Sequence, residues 1–197
     1  MQDTYLTLSS KIGQGTYTER RSKFLAFAHH VEDTEQIKKI ITQYQKKYYD
    51  ARHVCYAYML GAERNIFRAN DNGEPSSTAG KPILGQINSN NITDALIVVV
   101  RYFGGTKLGT PGLITAYRTA AATAIEDAEI IEKTIDEDIY LEFDFNHMNN
   151  VMHIVKDMNA TIVNQDYDTN CTATLRIRKS LAPQLKAKAK DYLKITQ

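Results

Sequence analysis

The sequence predicts an α+β protein of two units, the first over residues 1–133 and a smaller one over 134–197. Three observations carry this. An apolar run, Ala95-Leu-Ile-Val-Val-Val100, passes through a glycine-rich loop into an Ala-rich stretch from Ala116 to Ala128, the order strand, loop, helix. Before it, strand-type and helix-type patterns alternate. After a charged break at 132–138, one strand, one helix, two strands and a final helix follow in the order βαββα.

Within the first unit, residues 1–22 are polar, and Thr16-Tyr-Thr-Glu19 reads as a short edge strand. Lys23–Val31 is dense in apolar residues and reads as a strand buried on both faces. Asp33 is placed to cap a helix over 34–49, with Ile37, Ile40, Ile41 and Tyr44 on one face. His53–Met59 is rich in β-formers and stops at Gly61, so it is a strand. Phe67-Arg68 then enters a loop of turn chemistry, Asp71-Asn-Gly-Glu-Pro. Ser76, Ser77 or Thr78 is expected to cap a helix carrying Ile83, Leu84 and Ile87, with Pro82 in its first turn. Asn88–Asn91 is a turn, and Thr93 or Asp94 opens the strand to Val100. The following helix is expected over 112–130, with Thr110 as N-cap and Pro111 at the first helical position.

In the second unit, Ile139–Phe145 alternates as a half-buried strand. His147–Met158 places Val151, Ile154, Val155 and Met158 on one helix face. Ala160–Val163 and Cys171–Ile177 are strands joined across Gln165–Asn170, and Pro183 opens a basic helix over 184–193. This order suggests a ferredoxin-like split βαβ unit, too small to stand comfortably alone.

Composition narrows the function. Apolar residues at 43% are enough for a core, and the net charge is +1. Residues 1–133 hold 16 Lys and Arg against 14 Asp and Glu, and 134–197 hold 8 against 9, so any nucleic-acid contact must be a local patch. No apolar run approaches membrane-span length, and Met1-Gln-Asp-Thr-Tyr5 does not open a secretory signal. With two unpaired cysteines, Cys55 and Cys171, this points to a cytoplasmic protein.

The chemistry is concentrated in two loops. Arg101-Tyr-Phe-Gly-Gly-Thr-Lys-Leu-Gly-Thr-Pro-Gly112 is neither the dinucleotide nor the P-loop pattern, because its glycines and Lys107 are wrongly spaced. What it offers is an anion site. Arg101 and Lys107 give charge, Gly104, Gly105 and Gly112 allow close backbone approach, and Thr110 marks the helix start. The bland alternative is a tight turn and a close helix–sheet contact. In the second loop, Arg68 and Lys81 flank the site, and Asp71, Glu74 and Thr78 form a candidate acid–base or metal group. Its bland alternative is that Asp71 and Glu74 cap turns and pair with Arg68 and Lys81. Tyr102 and Phe103 offer faces on which bases can stack, Tyr102 being the candidate adopted. Cys55 reads as a core residue rather than a nucleophile partnered by His53. His29 and His30 point to opposite faces, and His147 and His153 are six apart, so no metal pair forms. No cofactor is expected.

Asp71-Asn-Gly-Glu-Pro-Ser-Ser-Thr-Ala-Gly-Lys-Pro-Ile83 and Val99-Val-Arg-Tyr-Phe-Gly-Gly-Thr-Lys-Leu-Gly109, with Ser22-Lys-Phe24 and Ala51-Arg-His-Val-Cys-Tyr-Ala-Tyr58 upstream, resemble the IMPACT/YigZ family over roughly residues 16–128. The resemblance implies that the first unit, βαβ then βα, shares the fold of the second domain of a small-subunit ribosomal protein and of domain four of elongation factor G. It implies that the tail is similar to the last domain of that factor. It also implies a role in translation, as eukaryotic relatives regulate an initiation-factor kinase through its activator. Family members usually carry Leu-Gly-x-Gly-Gly-Leu-x-Arg-Ala-Tyr at the helix start; here Pro111 and Thr115 stand in place of a glycine and the arginine.

The expectation is therefore a translation-associated, non-enzymatic binding protein. RNA phosphates or a ribosome-bound partner would meet the two loops, with Arg176, Arg178, Lys179, Lys186, Lys188 and Lys190 extending the basic patch. The rival expectation is an enzyme for a small phosphorylated or carboxylated substrate, using Asp71 and Glu74.

Overall fold

The structure is a computed structural model that describes residues 3–167 and 171–192. The chain divides into two compact units, Tyr5–Lys133 and the residues from Thr134 onward together with Asp3 and Thr4. The architecture is mixed α+β.

The first unit contains β1 (Thr4–Leu8), β2 (Gly13–Glu19), β3 (Ser22–His30), α1 (Thr34–Lys47), β4 (His53–Leu60), β5 (Ile66–Asn70), α2 (Gly80–Ser89), β6 (Ala95–Tyr102), α3 (Gly109–Asp127) and β7 (Ile130–Thr134). Five strands form one sheet in the order β2-β3-β6-β4-β5, and every neighbouring pair is antiparallel. β6 is central. Ile97 and Val99 pack with α2 and α3 on one face, while Leu96, Val98 and Val100 pack with Ile37 and Ile41 of α1 on the other. Burial on both faces is why this strand reads as an unbroken apolar run. The same alternation sends Arg101 to the α3 face and Tyr102 to the α1 face.

The cap on α1 is as expected: Gln36 N donates to Asp33 Oδ1 at 2.7 Å. Two other caps differ. α2 begins at Gly80, and none of Ser76, Ser77 or Thr78 caps it. Asp71 does this from eight and nine residues upstream, its Oδ1 accepting from Ala79 N (2.9 Å) and Gly80 N (2.8 Å). α3 begins at Gly109, with Leu108 at the cap position and no side-chain cap bond. Thr110 and Pro111 therefore lie inside the first turn, not at its boundary. Three strands were not expected. β1 and β7 form a two-stranded sheet, with one further parallel bridge from Leu6 to Ile92, and β5 is an edge strand with Ile66–Ala69 exposed.

The second unit contains β8 (Asp136–Phe143), a 3-10 turn (Phe145–His147), α4 (Met148–Asp157), β9 (Thr161–Tyr167), β10 (Cys171–Arg178) and α5 (Ala182–Lys188). The sheet order is β8-β10-β9, with β10 antiparallel to both neighbours. Ile139, Leu141, Leu175 and Ile177 bury one face against Val151 of α4 and Leu185 of α5. β9 extends past the expected Val163 to Tyr167; residues 168–170 of the expected connection and Leu193 of the expected final helix lie outside the described residues.

Candidate functional site

The site is assembled by a turn and a strand end. Asp71 O accepts from Glu74 N at 2.9 Å, and the two central residues, Asn72 and Gly73, both have positive φ. That is type I′ geometry, which Asn-Gly adopts at little cost. Asn72 Nδ2 donates to Val54 O (2.9 Å), and the Cys55 thiol donates to Asp71 O (3.0 Å), fixing the turn to β4. Asp71 Oδ2 also accepts from Ser77 N (2.8 Å). The result is that Glu74 is turned back over the sheet, its side chain only 3% exposed.

Arg101, 95% buried, meets it there. Its Nη1 donates to Glu74 Oε1 at 2.6 Å, and Tyr117 OH donates to the same oxygen at 2.8 Å. His53 sits opposite Arg101 in the β4–β6 register, with Nε2 at 3.8 Å from that oxygen. His53 Nδ1 lies 2.8 Å from Asn72 O, which can only accept, so Nδ1 is the ring nitrogen that donates there. The Arg101 guanidinium lies between the rings of Phe24 (5.5 Å) and Phe103 (5.6 Å). Its Nη2 reaches Ser22 Oγ at a long 3.5 Å, and its Nε is buried without a partner among the described residues. Burial pushes the Cys55 thiol up to about 12 and raises the Tyr117 hydroxyl further, so both are neutral donors.

This network floors an open pocket of about 680 Å³. Arg52, His53, Glu74, Arg101, Phe103, Lys107 and the start of α3 at Gly109 and Thr110 line it. The two motif loops thus share one site, with three fixed cations, one histidine and one carboxylate. Gly104 lets the loop cross β3 closely. A Cβ there would lie 2.1 Å from the Arg21 carbonyl carbon, and its amide donates to Ser22 Oγ at 3.1 Å.

Other residues singled out from the sequence lie elsewhere. Arg68 is exposed on β5, and Lys81 lines a separate groove with Ser77 and Arg118. Tyr102 donates to Asp50 Oδ1 (2.9 Å) on the α1 face. Gly105 is exposed at a φ of +85°, and Gly112 lies within α3. Thr78 OH is buried and donates to Pro75 O at 2.6 Å. Asp71 is consumed by three backbone amides, so Asp71, Glu74 and Thr78 do not form one metal or acid–base group, and Glu74 pairs with Arg101 rather than with Arg68 or Lys81. Among the described residues no group of three or more His, Cys, Asp or Glu is placed to hold a metal. In the second unit Arg176 pairs with Asp138 (2.7 Å), Arg178 with Asp3 (3.3 Å), Lys186 with Glu137 (2.5 Å) and Lys188 with Asp157 (3.4 Å). The expected basic extension is largely neutralised.

A family model described as the Impact N-terminal domain matches residues 20–125, more than half of the chain and all of this site. The chain belongs to the IMPACT family. It is 28% identical over 170 residues to IMPACT family member YvyE of Bacillus subtilis, covering 86% of this chain and 78% of that one. It is 28% identical over 175 residues to IMPACT family member YigZ of Escherichia coli, covering 88% and 86%. The crystal structure of a hypothetical protein matches all of both chains at a TM-score of 0.78 and 25% identity.

Within this IMPACT-family site, sequence reasoning passed over Arg52 and Tyr117 and weighed His53 only as a partner for Cys55. Arg52 and His53 lie just outside the loops, at the mouth of β4. What brings them to the site is register, which adjacent residues do not reveal: in the β4–β6 pairing His53 lies opposite Arg101. Tyr117 is eight residues into α3, two turns from the glycines, and so on the same helix side as Leu113.

Proposed function

We propose that this protein is a translation-associated binding protein that holds RNA phosphate at the β6–α3 corner of its first unit. The observation that carries this reading is the charge balance of the pocket. Arg101 is matched by Glu74, whereas the side chains of Arg52 and Lys107 have no ion pair among the described residues. Two unmatched cations beside the start of a 19-residue helix favour an anion. Phe103, 49% exposed at the rim, adds an aromatic face. Membership of the family supports the link to translation, through the role that eukaryotic relatives play there.

The fold readings go with it. The antiparallel sheet with α2 and α3 on one face fits the second domain of a small-subunit ribosomal protein and domain four of elongation factor G. The β8-β10-β9 order, with α4 joining the outer strands, fits a ferredoxin-like split βαβ. A cytoplasmic location follows from a ribosomal or RNA target; among the described residues no helix is long and apolar enough to cross a membrane.

The test is binding of ribosomes and of a short single-stranded RNA across a salt series. Lys107→Ala is expected to weaken binding and to reduce the slope of log K against log salt by about 0.7–1. Salt-independent binding, or none to either target, would sink the proposal.

A further inference from the structure

We infer that the pocket takes a single ribonucleotide, its phosphate against Arg52 and Lys107, a ribose hydroxyl on Glu74 and its base on Phe103. This rests on the RNA reading above and specifies what part of the RNA enters.

Glu74 is the reason that a bare anion is the wrong ligand. A carboxylate accepts and never donates. Its two donors, Arg101 Nη1 and Tyr117 OH, both reach one oxygen, Oε1. Glu74 is among the residues lining the pocket, so a ligand that meets both the cations and this carboxylate presents an anion and a hydroxyl or amine donor. Nucleotides combine the two, and a carboxylate is the usual reader of ribose hydroxyls. Phe103 adds a requirement for a flat group. One face of its ring lies against the Arg101 guanidinium, and about half of its surface is open. The buried Arg101 Nε is an independent sign of a missing acceptor. It is the one buried side-chain donor without a partner among the described residues, and it belongs to a residue lining this pocket. A volume of about 680 Å³ lies within the range of small-ligand sites, about 300–1,000 Å³.

The ligand can be a free nucleotide or one nucleotide of an RNA strand, and the experiment separates them. The full chain is titrated with AMP, 2′,3′-dideoxy-AMP, a seven-nucleotide oligo(A) RNA and its DNA counterpart, using calorimetry. AMP is expected to bind at least tenfold tighter than its dideoxy analogue, as a site built around a hydroxyl rejects the ligand that lacks it. Phe103→Ala, at an exposed side chain, is expected to weaken AMP about tenfold. Glu74→Gln is expected to erase the preference for ribose. RNA preferred over DNA, with AMP weak, assigns the site to a nucleotide within a strand; AMP as tight as RNA assigns it to the free nucleotide. If RNA binds and Lys107→Ala weakens it, yet AMP and dideoxy-AMP bind alike or Phe103→Ala changes nothing, this inference is wrong and the RNA reading stands. If neither RNA nor AMP binds, both fall.

Discussion

Removing Glu74 is the sharpest stability test of the site. In Glu74→Ala the Arg101 guanidinium, whose side chain is 6% exposed, loses its only close acceptor among the described residues and keeps a 3.5 Å contact to Ser22 Oγ. Tyr117 OH loses its acceptor as well. Breaking one side of a buried pair costs about 3–5 kcal/mol, because a charge is left unmatched. Taking about 4 kcal/mol, and an unfolding entropy of about 2.1 cal/mol/K per residue over Tyr5–Lys133, the first unit should melt about 15 °C lower. Thermal and urea unfolding followed by circular dichroism read this directly. The double variant Glu74→Ala with Arg101→Met should recover at least half of the loss, since it removes both charges and keeps apolar bulk over Phe24. The reasoning is refuted if Glu74→Ala costs less than about 1 kcal/mol, which would mean that Arg101 reaches water through the pocket.

Further predictions concern the scaffold. Gly104→Ala should cost about 3 kcal/mol, since its Cβ meets the Arg21–Ser22 backbone at 2.1–2.4 Å, while Gly105→Ala, strained by a φ of +85° but in open space, should cost about 1–2 kcal/mol; urea midpoints give the order. Asp71→Ala removes three charge-assisted amide bonds and the cap of α2, and should cost about 2–3 kcal/mol by the same assay. Burial lowers His29 to about 4 from 6.5, with Nε2 at 2.8 Å from Tyr44 OH. The unfolded chain then takes up the proton first, so stability is full above pH 6.5 and is lost as the pH falls toward 4. After solvent screening the loss is about 2 kcal/mol, and His29→Gln should remove it from the pH–stability curve.

Much of the first unit was legible because its signals are local. The unbroken apolar run of β6, the Asp33 cap with its helical face, and the β-formers of β4 each declare one element within about ten residues. Edge elements are harder: β2 was read only in part, as Thr16–Glu19 of Gly13–Glu19, and three others were missed. β5 exposes Ile66 and Phe67, and β1 and β7 are five-residue strands outside the main sheet, so neither alternation nor a dense apolar run marks them. The site was half legible. Its two loops were visible as turn chemistry, and Arg101, Lys107 and Thr110 do line the pocket. Partners were not, because they are set by the sheet. Glu74 has Lys81 and Arg68 within seven residues, yet it pairs with Arg101 on β6, which β4 separates from β5 in the sheet. Tyr102 and Phe103 differ by one position, and pleat phase turns Tyr102 toward α1 while Phe103, just past the strand end, stays with Arg101. Likewise a cap eight residues away, as Asp71 supplies to α2, escapes any rule based on adjacent residues.

The central claim is that RNA enters at the β6–α3 corner. Amide chemical-shift mapping of the isotope-labelled full chain, titrated with a short single-stranded RNA, tests it most directly. The account predicts that the largest changes cluster at Arg52, His53, Phe103, Lys107 and Gly109 and disappear in Lys107→Ala at moderate salt. Changes confined to the second unit around Arg176–Lys190, or no changes at all, would contradict it.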